Sequence, residues 1–406
     1  MSAQLPPSFF HFEITCYPPG MSTTRHTQNR RAVLAAAWLG RPVTRLELAH
    51  STGLSTTTIA GIVADLIADQ ILLELNDRIL APGSTGGRPA TQLAFNPALG
   101  ALVGIHLGHA DVQIVITGPD GSIRAEHART TDVDHQPADT LEYVASTALD
   151  LVADLGVRHR DLLGVGVAVS APVLLSSHTL GSPPMLSNWG EIDIAAALSK
   201  RMGLPVQVGN DANLGALAEW RQGTGAGTDN LIYVMISEGV GAGLIIRGQL
   251  YEGTTGAAGE LGHVTVAPGG QICRCGNRGC LETVAGARAL ITALAHSRGP
   301  CSLADLITLA QQGDQGARRL MTDAGHAVGA ALGPACTMLD PTLIIVGGAL
   351  AQAGEPLLTG LRDSLTRTLS PVSNQALKVK PTQLGTQTEV LGAIAIAGDT
   401  ALPSLA

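Results

Sequence analysis

The sequence predicts an α/β protein with a small helical head and a larger two-lobed body. Three observations predict this class. Apolar residues at helical spacing run from Asn29 to about Ile67, strands alternating with helices begin after Pro97, and one order of elements occurs twice in the second part. The chain has 406 residues, which is enough for two or three domains with a sizeable core.

Composition and charge exclude several classes of protein. The hydrophobic fraction is 45%, which is ordinary for a globular chain and argues against a disordered or collagen-like protein. No uncharged apolar run reaches the roughly 18 residues of a membrane span, so we expect a soluble protein without a membrane partner. The net charge of −8 argues against a surface that coats nucleic acid throughout. Residues 1–90 carry seven Arg and six acidic residues, so the acidic charge lies in the body.

The N-terminal segment and the cysteines bear on location. We expect residues 1–24 to form a disordered tail, because they lack the charged start and long apolar stretch of an export signal. The sequence does not distinguish a start at Met1 from one at Met21. Six cysteines are too few for a disulfide scaffold in a chain of this length, which indicates a reducing, cytoplasmic setting.

Residues 25–90 have the element order of a DNA-binding winged helix-turn-helix. A first helix begins near Asn29, Thr44 caps a short second helix, and Ser55 caps a third. Two short strands, ILLEL and RILA, follow with a predicted turn at Asn76 and Asp77, and a stretch rich in Gly and Pro ends the segment.

The predicted recognition helix starts with hydroxyl residues and contains neither Lys nor Arg. Hydroxyl groups would therefore contact bases, and arginines from elsewhere in the head would contact phosphates, with Arg88 placed to enter a minor groove from the wing. The predicted DNA contacts are Arg45, Ser55, Thr56, Thr57, Thr58 and Arg88, and the further phosphate candidates are Arg25, Arg30, Arg31 and Arg41.

The body repeats the order of three strands, a helix and a buried strand. The first set is ALVGIHLG, VQIVITG, SIRAEHART, a helix over residues 138–155 and LLGVGVAVS. The second set is NLIYVMIS, GLIIRG, HVTVA, a helical region over residues 281–339 and LIIVGG. Two such halves around a cleft are typical of the actin-like and sugar-kinase (ribonuclease-H-like) architecture. We expect a small lobe over residues 91–209, completed by a C-terminal helix at 386–402, and a large lobe over residues 210–385.

A cysteine cluster in the second half predicts a metal site. Its thiols have the spacing Cys-x-Cys-x4-Cys, a histidine lies ten residues before the first of them, and Gly276 and Gly279 allow the backbone to wrap. Three thiolates and one imidazole form a closed tetrahedral set for a structural Zn²⁺. The alternatives are reduced thiols in a loop or a disulfide, which reducing conditions disfavour. The predicted ligands are His263, Cys273, Cys275 and Cys280, and the thiols left over are Cys16, Cys301 and Cys336.

From about Asn29 to its C-terminus, the sequence resembles the ROK family (repressors, open reading frames and sugar kinases), specifically the transcription-regulator branch. The resemblance rests on the helix-turn-helix, GGRP at residues 86–89, NDAN at 210–213, GELGH at 259–263 and the cysteine cluster ending in Leu281 and Glu282. It implies a winged helix followed by a two-lobed sugar-kinase body.

The resemblance also implies a sugar site in the cleft. Asp211 matches the carboxylate that accepts the proton of the attacking sugar hydroxyl in family kinases, and His263 would face zinc with one ring nitrogen and the sugar with the other. Carboxylates and amides also suit recognition of neighbouring hydroxyls without chemistry. The alternative is a solvated acid at each Glu and a helix N-cap at Asp211. The implied ligand residues are Asn210, Asp211, Glu260, His263 and Glu282.

The chain departs from the family's kinases where they handle phosphate. Their first hairpin reads Asp-x-Gly-Gly-Thr, and here the aligned residues are His106, Leu107, Gly108, His109 and Ala110. Their second phosphate loop reads Gly-Thr-Gly, and here Glu238 would place a negative charge near a polyphosphate, which costs about 1–4 kcal/mol for a like-charge pair at 4 Å. In the substrate loop, Ser170 and Ala171 replace a Pro-Gly pair and Met185 replaces an Asn, with Asn188 as the candidate replacement.

We therefore expect a transcriptional regulator and not an enzyme. Its partners would be operator DNA and a sugar or sugar-phosphate effector, and it would act as a homodimer or a dimer of dimers. The alternatives are an ATP-dependent sugar kinase that keeps a DNA-binding head, and a ligand-independent regulator controlled by a protein partner. The sequence identifies neither the ligand, nor the operator, nor whether the protein represses or activates.

Overall fold

The structure is a computed structural model that describes residues 25–38, 41–79, 90–177, 179–181, 188–190 and 192–406. The predicted tail, the wing motif with Arg88, and Met185 lie outside the described residues.

The head is a helix-turn-helix with a small sheet. It comprises α1 (Arg25–Ala37), β1 (Val43–Thr44), α2 (Arg45–Thr52), α3 (Thr56–Ala68), β2 (Leu72–Ile79) and β3 (Ala90–Phe95). Both predicted caps are confirmed, since the Thr44 side chain accepts from the backbone N–H of Glu47 and the Ser55 side chain from that of Thr58. The chain bends by 118° between α2 and α3, within the range of helix-turn-helix motifs.

The wing differs from the sequence prediction. The predicted turn at Asn76 and Asp77 is wrong, because β2 runs without interruption from Leu72 to Ile79. Its partner is β3, and the sheet order is β1-β3-β2. Pairing with a distant strand outweighs the local turn preference of Asn-Asp, and only an irregular register between Glu74 and Arg78 marks that place. The sheet of the head therefore reaches Phe95, beyond the domain boundary that the sequence predicts at residue 90.

The first lobe is a mixed five-stranded sheet. Its elements are β4 (Ala101–Leu107), β5 (Asp111–Thr117), β6 (Ile123–Thr130), α4 (Pro137–Asp154), β7 (Leu162–Val169), α5 (Ile194–Met202) and β8 (Val206–Asn210). The strand order is β6-β5-β4-β7-β8, antiparallel from β6 to β4 and parallel from β4 to β8. All seven residues of β4 are buried, as expected of a strand that is covered on both faces.

The second lobe repeats this topology. Its elements are α6 (Asp211–Gln222), β9 (Leu231–Ile236), β10 (Val240–Ile246), β11 (Gln249–Leu250), α7 (Glu282–Ala285), α8 (Ala287–Arg298), α9 (Leu303–Gln311), α10 (Gln315–Leu339), β12 (Leu343–Gly347), α11 (Glu355–Thr368), α12 (Pro371–Ala376) and β13 (Lys378–Pro381), and the helix α13 (Thr388–Leu405) follows it. The strand order is β11-β10-β9-β12-β13. The predicted repeat is confirmed in both sheets.

One predicted strand of the second lobe is wrong. HVTVA at residues 263–267 is not a strand, because its backbone forms hydrogen bonds with the cysteine loop. The Val266 N–H donates to Gly279 O at 2.9 Å, and Thr265 forms a single bridge with Cys280. The third strand of this sheet is instead the two-residue β11.

The C-terminal helix α13 packs on the sheet of the first lobe and touches the head. A Cβ atom at Gly104 or Gly166 would lie 2.7 Å from Val390 O or 1.9 Å from Ala393 O, so glycine permits the close approach of the helix. The sequence predicts a helix at residues 386–402, and the observed helix is α13 (Thr388–Leu405). Among the described residues, no single helix is long and apolar enough to cross a membrane, and only the bent pair of α2 and α3 passes on length and composition.

Candidate metal centre and ligand cleft

The structure brings the four predicted metal ligands together. The donor atoms of His263, Cys273, Cys275 and Cys280 lie within 4.8 Å of one another. His263 directs Nδ1 to this cluster, 3.5 Å from Cys273 Sγ. Gly279 has a positive φ of 68° and its Cα faces Ala267 O so closely that a Cβ would lie 1.5 Å from it. Only glycine lets the loop close at this point.

The electrostatics of the cluster fit a divalent cation. Burial and the hydrogen bonds from the other thiols raise the pKa of Cys280 to about 12. Burial also raises the pKa of Cys273 and lowers the pKa of His263, which favours the neutral imidazole that binds metal. Buried thiolates need a nearby positive charge, and three sulfurs with one nitrogen are the donor set of a structural zinc.

Asp211 lies at the base of the cleft between the lobes, where β8 ends and α6 begins. Asn210 caps α6 by accepting from the Asn213 N–H at 3.1 Å, so the alternative interpretation of Asp211 as the cap is wrong. The Asp211 carboxylate accepts from Ala212 N–H at 2.7 Å and from Ser170 Oγ at 2.5 Å, and the residue is 2% exposed. These bonds fix the carboxylate in one orientation.

Glu260 and Glu282 approach Asp211 from the second lobe. Burial, followed by the charges of Asp211 and Glu282, raises the pKa of Glu260 to about 7, so the three carboxylates act on one another. His263 directs Nε2 to Glu260 Oε2 at 3.7 Å while its Nδ1 faces the thiols. The family resemblance implies that the same two ring nitrogens face zinc and a sugar. The structure thus gathers all five predicted ligand residues around one cleft.

His106 occupies the hairpin position where family kinases carry a carboxylate. Its Nε2 lies 3.7 Å from Asp211 Oδ2. Burial alone would lower the pKa of His106, but Asp211 and the charges of Asp111 and Glu389 outweigh burial and raise the pKa to about 9. The raised pKa favours the protonated ring, which lies beside the carboxylate that matches the kinase base. Sequence reasoning noted the loss of a carboxylate here and missed the approach of the histidine to Asp211.

His109 and Arg274 lie between the turn that follows β4 and the loop around Gly239. His109 donates from Nδ1 to Asp134 Oδ1 at 2.7 Å, and a Cβ at Gly239 would lie 3.5 Å from its Nε2. Arg274 places Nε 3.1 Å from Glu282 Oε1 and Nη1 3.5 Å from Asp134 Oδ2. Sequence reasoning missed Arg274 and Asp134. A visible signal was that Arg274 is the charged residue held between two predicted zinc ligands.

Asn188, the candidate replacement in the substrate loop, is exposed and donates from Nδ2 to His135 O at 3.0 Å. The described contacts of Asn188 thus do not join it to the carboxylates of the cleft.

The predicted DNA contacts are partly exposed on the head. Thr56 and Thr57 are exposed at the start of α3, whereas Ser55 Oγ accepts from the Thr58 N–H at 3.1 Å and lies 2.8 Å from its hydroxyl. Arg45 pairs with Glu74 at 2.6 Å. The first turn of α3 therefore divides into capping residues and outward-facing hydroxyls.

Comparison with known proteins agrees with this architecture. Residues 102–400 match the model of the ROK family. The xylose repressor of Bacillus subtilis (strain 168) is 28% identical over 371 residues, which are 91% of this chain and 95% of the repressor. The crystal structure of a ROK family transcriptional regulator, a homologue of the E. coli MLC protein, has a TM-score of 0.71 and 24% identity over 93% of this chain and 98% of its own.

A kinase of the same fold covers the body alone. The ROK family glucokinase from Streptomyces griseus, solved in complex with glucose and AMPPNP, has a TM-score of 0.64 and 28% identity over 73% of this chain and 99% of its own. The head lies ahead of the family match, and the match extends over more than half of the chain. The chain belongs to the ROK family.

Proposed function

We propose that this chain is a transcriptional regulator that binds operator DNA through its winged helix and senses a sugar or sugar derivative in the cleft. The observation that carries the proposal is a cleft that keeps its hydroxyl acceptors but has lost its phosphate-handling groups. The full-length similarity to a xylose repressor, head included, supports the same function.

The contacts around Asp211 favour binding over phosphoryl transfer. Its carboxylate is held by Ser170 and by the His106 cation, so a proton from a sugar hydroxyl would have to compete with both. The His109 ring lies beside Gly239, since a Cβ at Gly239 would be 3.5 Å from its Nε2, and it takes up space next to the loop that resembles the second phosphate loop. Kinase catalysis is mainly positioning and charge stabilisation of the transferred phosphate, and those groups are replaced here.

Zinc is part of the proposal as a structural element. Cys280 is two residues before Glu282, and His263 contacts Glu260, so a metal bound by these ligands would hold two carboxylates toward the cleft. A rigid set of acceptors lowers the ordering cost of binding several hydroxyls. A homodimer and a cytoplasmic location are also part of the proposal, since two-fold operators match two-fold proteins.

The experiment that tests the regulator is selection of operator DNA with the purified chain, followed by fluorescence anisotropy on the selected duplex. We expect a dissociation constant below about 10⁻⁷ M at physiological salt, and a shift on adding D-xylose, D-glucose or a sugar phosphate. Failure to enrich any sequence would contradict the DNA-binding function.

The kinase alternative has its own test. A coupled assay for ADP formation with ATP, Mg²⁺ and D-glucose or D-xylose should show no turnover above background. Turnover that disappears in Asp211→Asn would establish the enzyme instead. Because zinc binding and folding can be checked in the same Asp211→Asn sample, a folding defect would not be mistaken for loss of catalysis.

A further inference from the structure

The cysteine loop reaches across the cleft through one side chain. Arg274 stands between Cys273 and Cys275 in the second lobe, and its guanidinium lies between carboxylates from both lobes. Glu282 is the first residue of α7 in the second lobe, and Asp134 follows β6 in the first lobe. One side chain therefore joins the two lobes at the cleft.

The surroundings of Arg274 strengthen this contact. Nη1 lies 3.2 and 3.3 Å from the two ring nitrogens of His109, so the guanidinium rests against the ring that also donates to Asp134. The side chains of Asp134, Glu282 and His109 are 20%, 10% and 8% exposed. Ion pairs shielded in this way are stronger than exposed surface pairs.

We propose that Arg274 is a positioning residue that clamps the two lobes together across the cleft and fixes the orientation of the Glu282 carboxylate. Separate N–H groups of one planar guanidinium face the two acids, which a single ammonium group cannot reproduce. The part of the proposal that concerns Glu282 as a ligand contact rests on the proposed function. The clamp between the lobes does not, since it follows from Asp134 and Arg274 alone.

The same loop offers a matched control. Arg278 is exposed, and its Nη1 donates to Gly270 O at 2.9 Å within the loop itself. Arg278→Gln removes a guanidinium from the cysteine loop without touching a contact to the first lobe. An effect that is shared by Arg274→Gln and Arg278→Gln would belong to the loop and not to the clamp.

The first measurement is hydrogen exchange on the full-length, zinc-loaded protein without ligand. In Arg274→Gln, we expect exchange to rise about five- to tenfold in peptides covering residues 108–113 and 131–136 of the first lobe. Arg278→Gln should leave both peptides unchanged, and zinc content should be equal in both variants. Unchanged exchange in the first lobe of Arg274→Gln would overturn the clamp.

Two further variants separate a clamp from a general loss of stability. Asp134→Asn should raise exchange in the same peptides, and Arg274→Gln should add less in the Asp134→Asn background than in the parent, because both changes break the pair of Asp134 and Arg274. Arg274→Lys keeps the charge but not the planar geometry and should give an intermediate effect. Fully additive effects of Asp134→Asn and Arg274→Gln would contradict a shared interaction.

The positioning of Glu282 is tested by calorimetric titrations with D-glucose and D-xylose as probes. A sugar that binds the parent should bind Arg274→Gln at least about fivefold more weakly and Arg278→Gln equally well. Equal binding by Arg274→Gln would overturn the positioning role at Glu282. If neither sugar binds the parent, the sugar-sensing proposal loses support, while the exchange measurement still decides the clamp.

Discussion

At the scale of single residues, one histidine changes what the cleft can do. An aspartate at the position of His106 would add a fourth carboxylate beside Asp111, Asp211 and Glu389, whereas the imidazolium neutralises part of that charge. The resemblance to the family's kinases implies a magnesium-binding carboxylate at this position, and this chain has an imidazole there instead.

We predict that His106 makes stability depend on pH in a defined window. The pKa is raised from 6.5 to about 9 in the folded state, so the protonated ring stabilises the fold fully below about pH 6.5. This contribution is lost as the pH rises through about 9. A shift of this size corresponds to about 3 kcal/mol. Urea unfolding of the parent and of His106→Gln should show a difference that is larger at pH 6 than at pH 9.5.

His50→Gln, on the exposed surface of the head, is the control for this experiment. A stability difference between parent and His106→Gln that is the same at both pH values would contradict a buried, charged His106.

The zinc ligands and His106 show that contacts between residues close in sequence can be predicted, whereas contacts between distant residues cannot. The thiols lie within eight residues of one another, so their spacing alone predicts the set. His106 and Asp211 are 105 positions apart, and only the pairing of β4, β7 and β8 brings them together. Arg274 and Asp134 were missed for the same reason, since each looks like a solvated charge in its local sequence.

At the scale of elements, the start of α3 combines a cap with exposed hydroxyls that we propose as DNA contacts. Ser55→Ala removes the hydroxyl that accepts from the Thr58 N–H and should lower the free energy of unfolding of the head by about 1 kcal/mol. Thr57→Ala changes an exposed hydroxyl and should leave stability within about 0.5 kcal/mol while weakening operator binding. Chemical unfolding and anisotropy on the same samples separate the two effects. Unaltered operator binding by Thr57→Ala would contradict its assignment as a contact.

The cysteine loop gives a second prediction at this scale. The parent should carry about one zinc per chain, and Cys275→Ser should lower that content and the melting temperature. Cys301→Ser is the matched control, because its Sγ lies 3.7 Å from Ile291 O and outside the cluster. Elemental analysis after purification in metal-free buffer measures the content. Equal zinc in the parent and in Cys275→Ser would contradict the assigned ligands.

Elements with strong internal patterns were predicted, and elements defined by distant partners were not. The buried strands and amphipathic helices of both lobes followed from apolar spacing alone. The strand β2 continues through Asn76 and Asp77 because it pairs with β3. The segment HVTVA is not part of the sheet because it pairs with the cysteine loop. Local preference decides an element only where no long-range pairing competes with it.

At the scale of the whole molecule, two helices run from the cleft to the head. α6 begins at Asp211, and Arg221 in its last turn forms two hydrogen bonds with Asp399 of α13. α13 begins next to Glu389, which accepts from Tyr233 and acts on the charge of His106. Both helices therefore have one end at the proposed ligand site and the other near the DNA-binding domain.

The contact at the far end is made by Trp38 of the head. Its Nε1 donates to Ala395 O at 3.3 Å, its ring packs edge-on against Phe95, and a Cβ at Gly398 would lie 1.9 Å from its Cε2. Residues of α13 also join the hydrophobic core of the head. A displacement of α13 on ligand binding would consequently change the contacts that Trp38 makes with α13.

We predict that Gly398→Ala reduces the coupling between ligand and DNA without abolishing either binding event. The added methyl group must push the Trp38 ring away from α13, while the cleft and the first turn of α3 are untouched. In the parent, an identified sugar should change operator affinity by about 1–3 kcal/mol, and operator DNA should change sugar affinity by the same amount because coupling is reciprocal. In Gly398→Ala both shifts should fall toward zero. Thr400→Ala, on the exposed side of the same helix, should keep the full coupling. If Gly398→Ala retained the parent's coupling in both titrations, the signal would not pass through Trp38 and α13, and another contact between body and head would have to carry it.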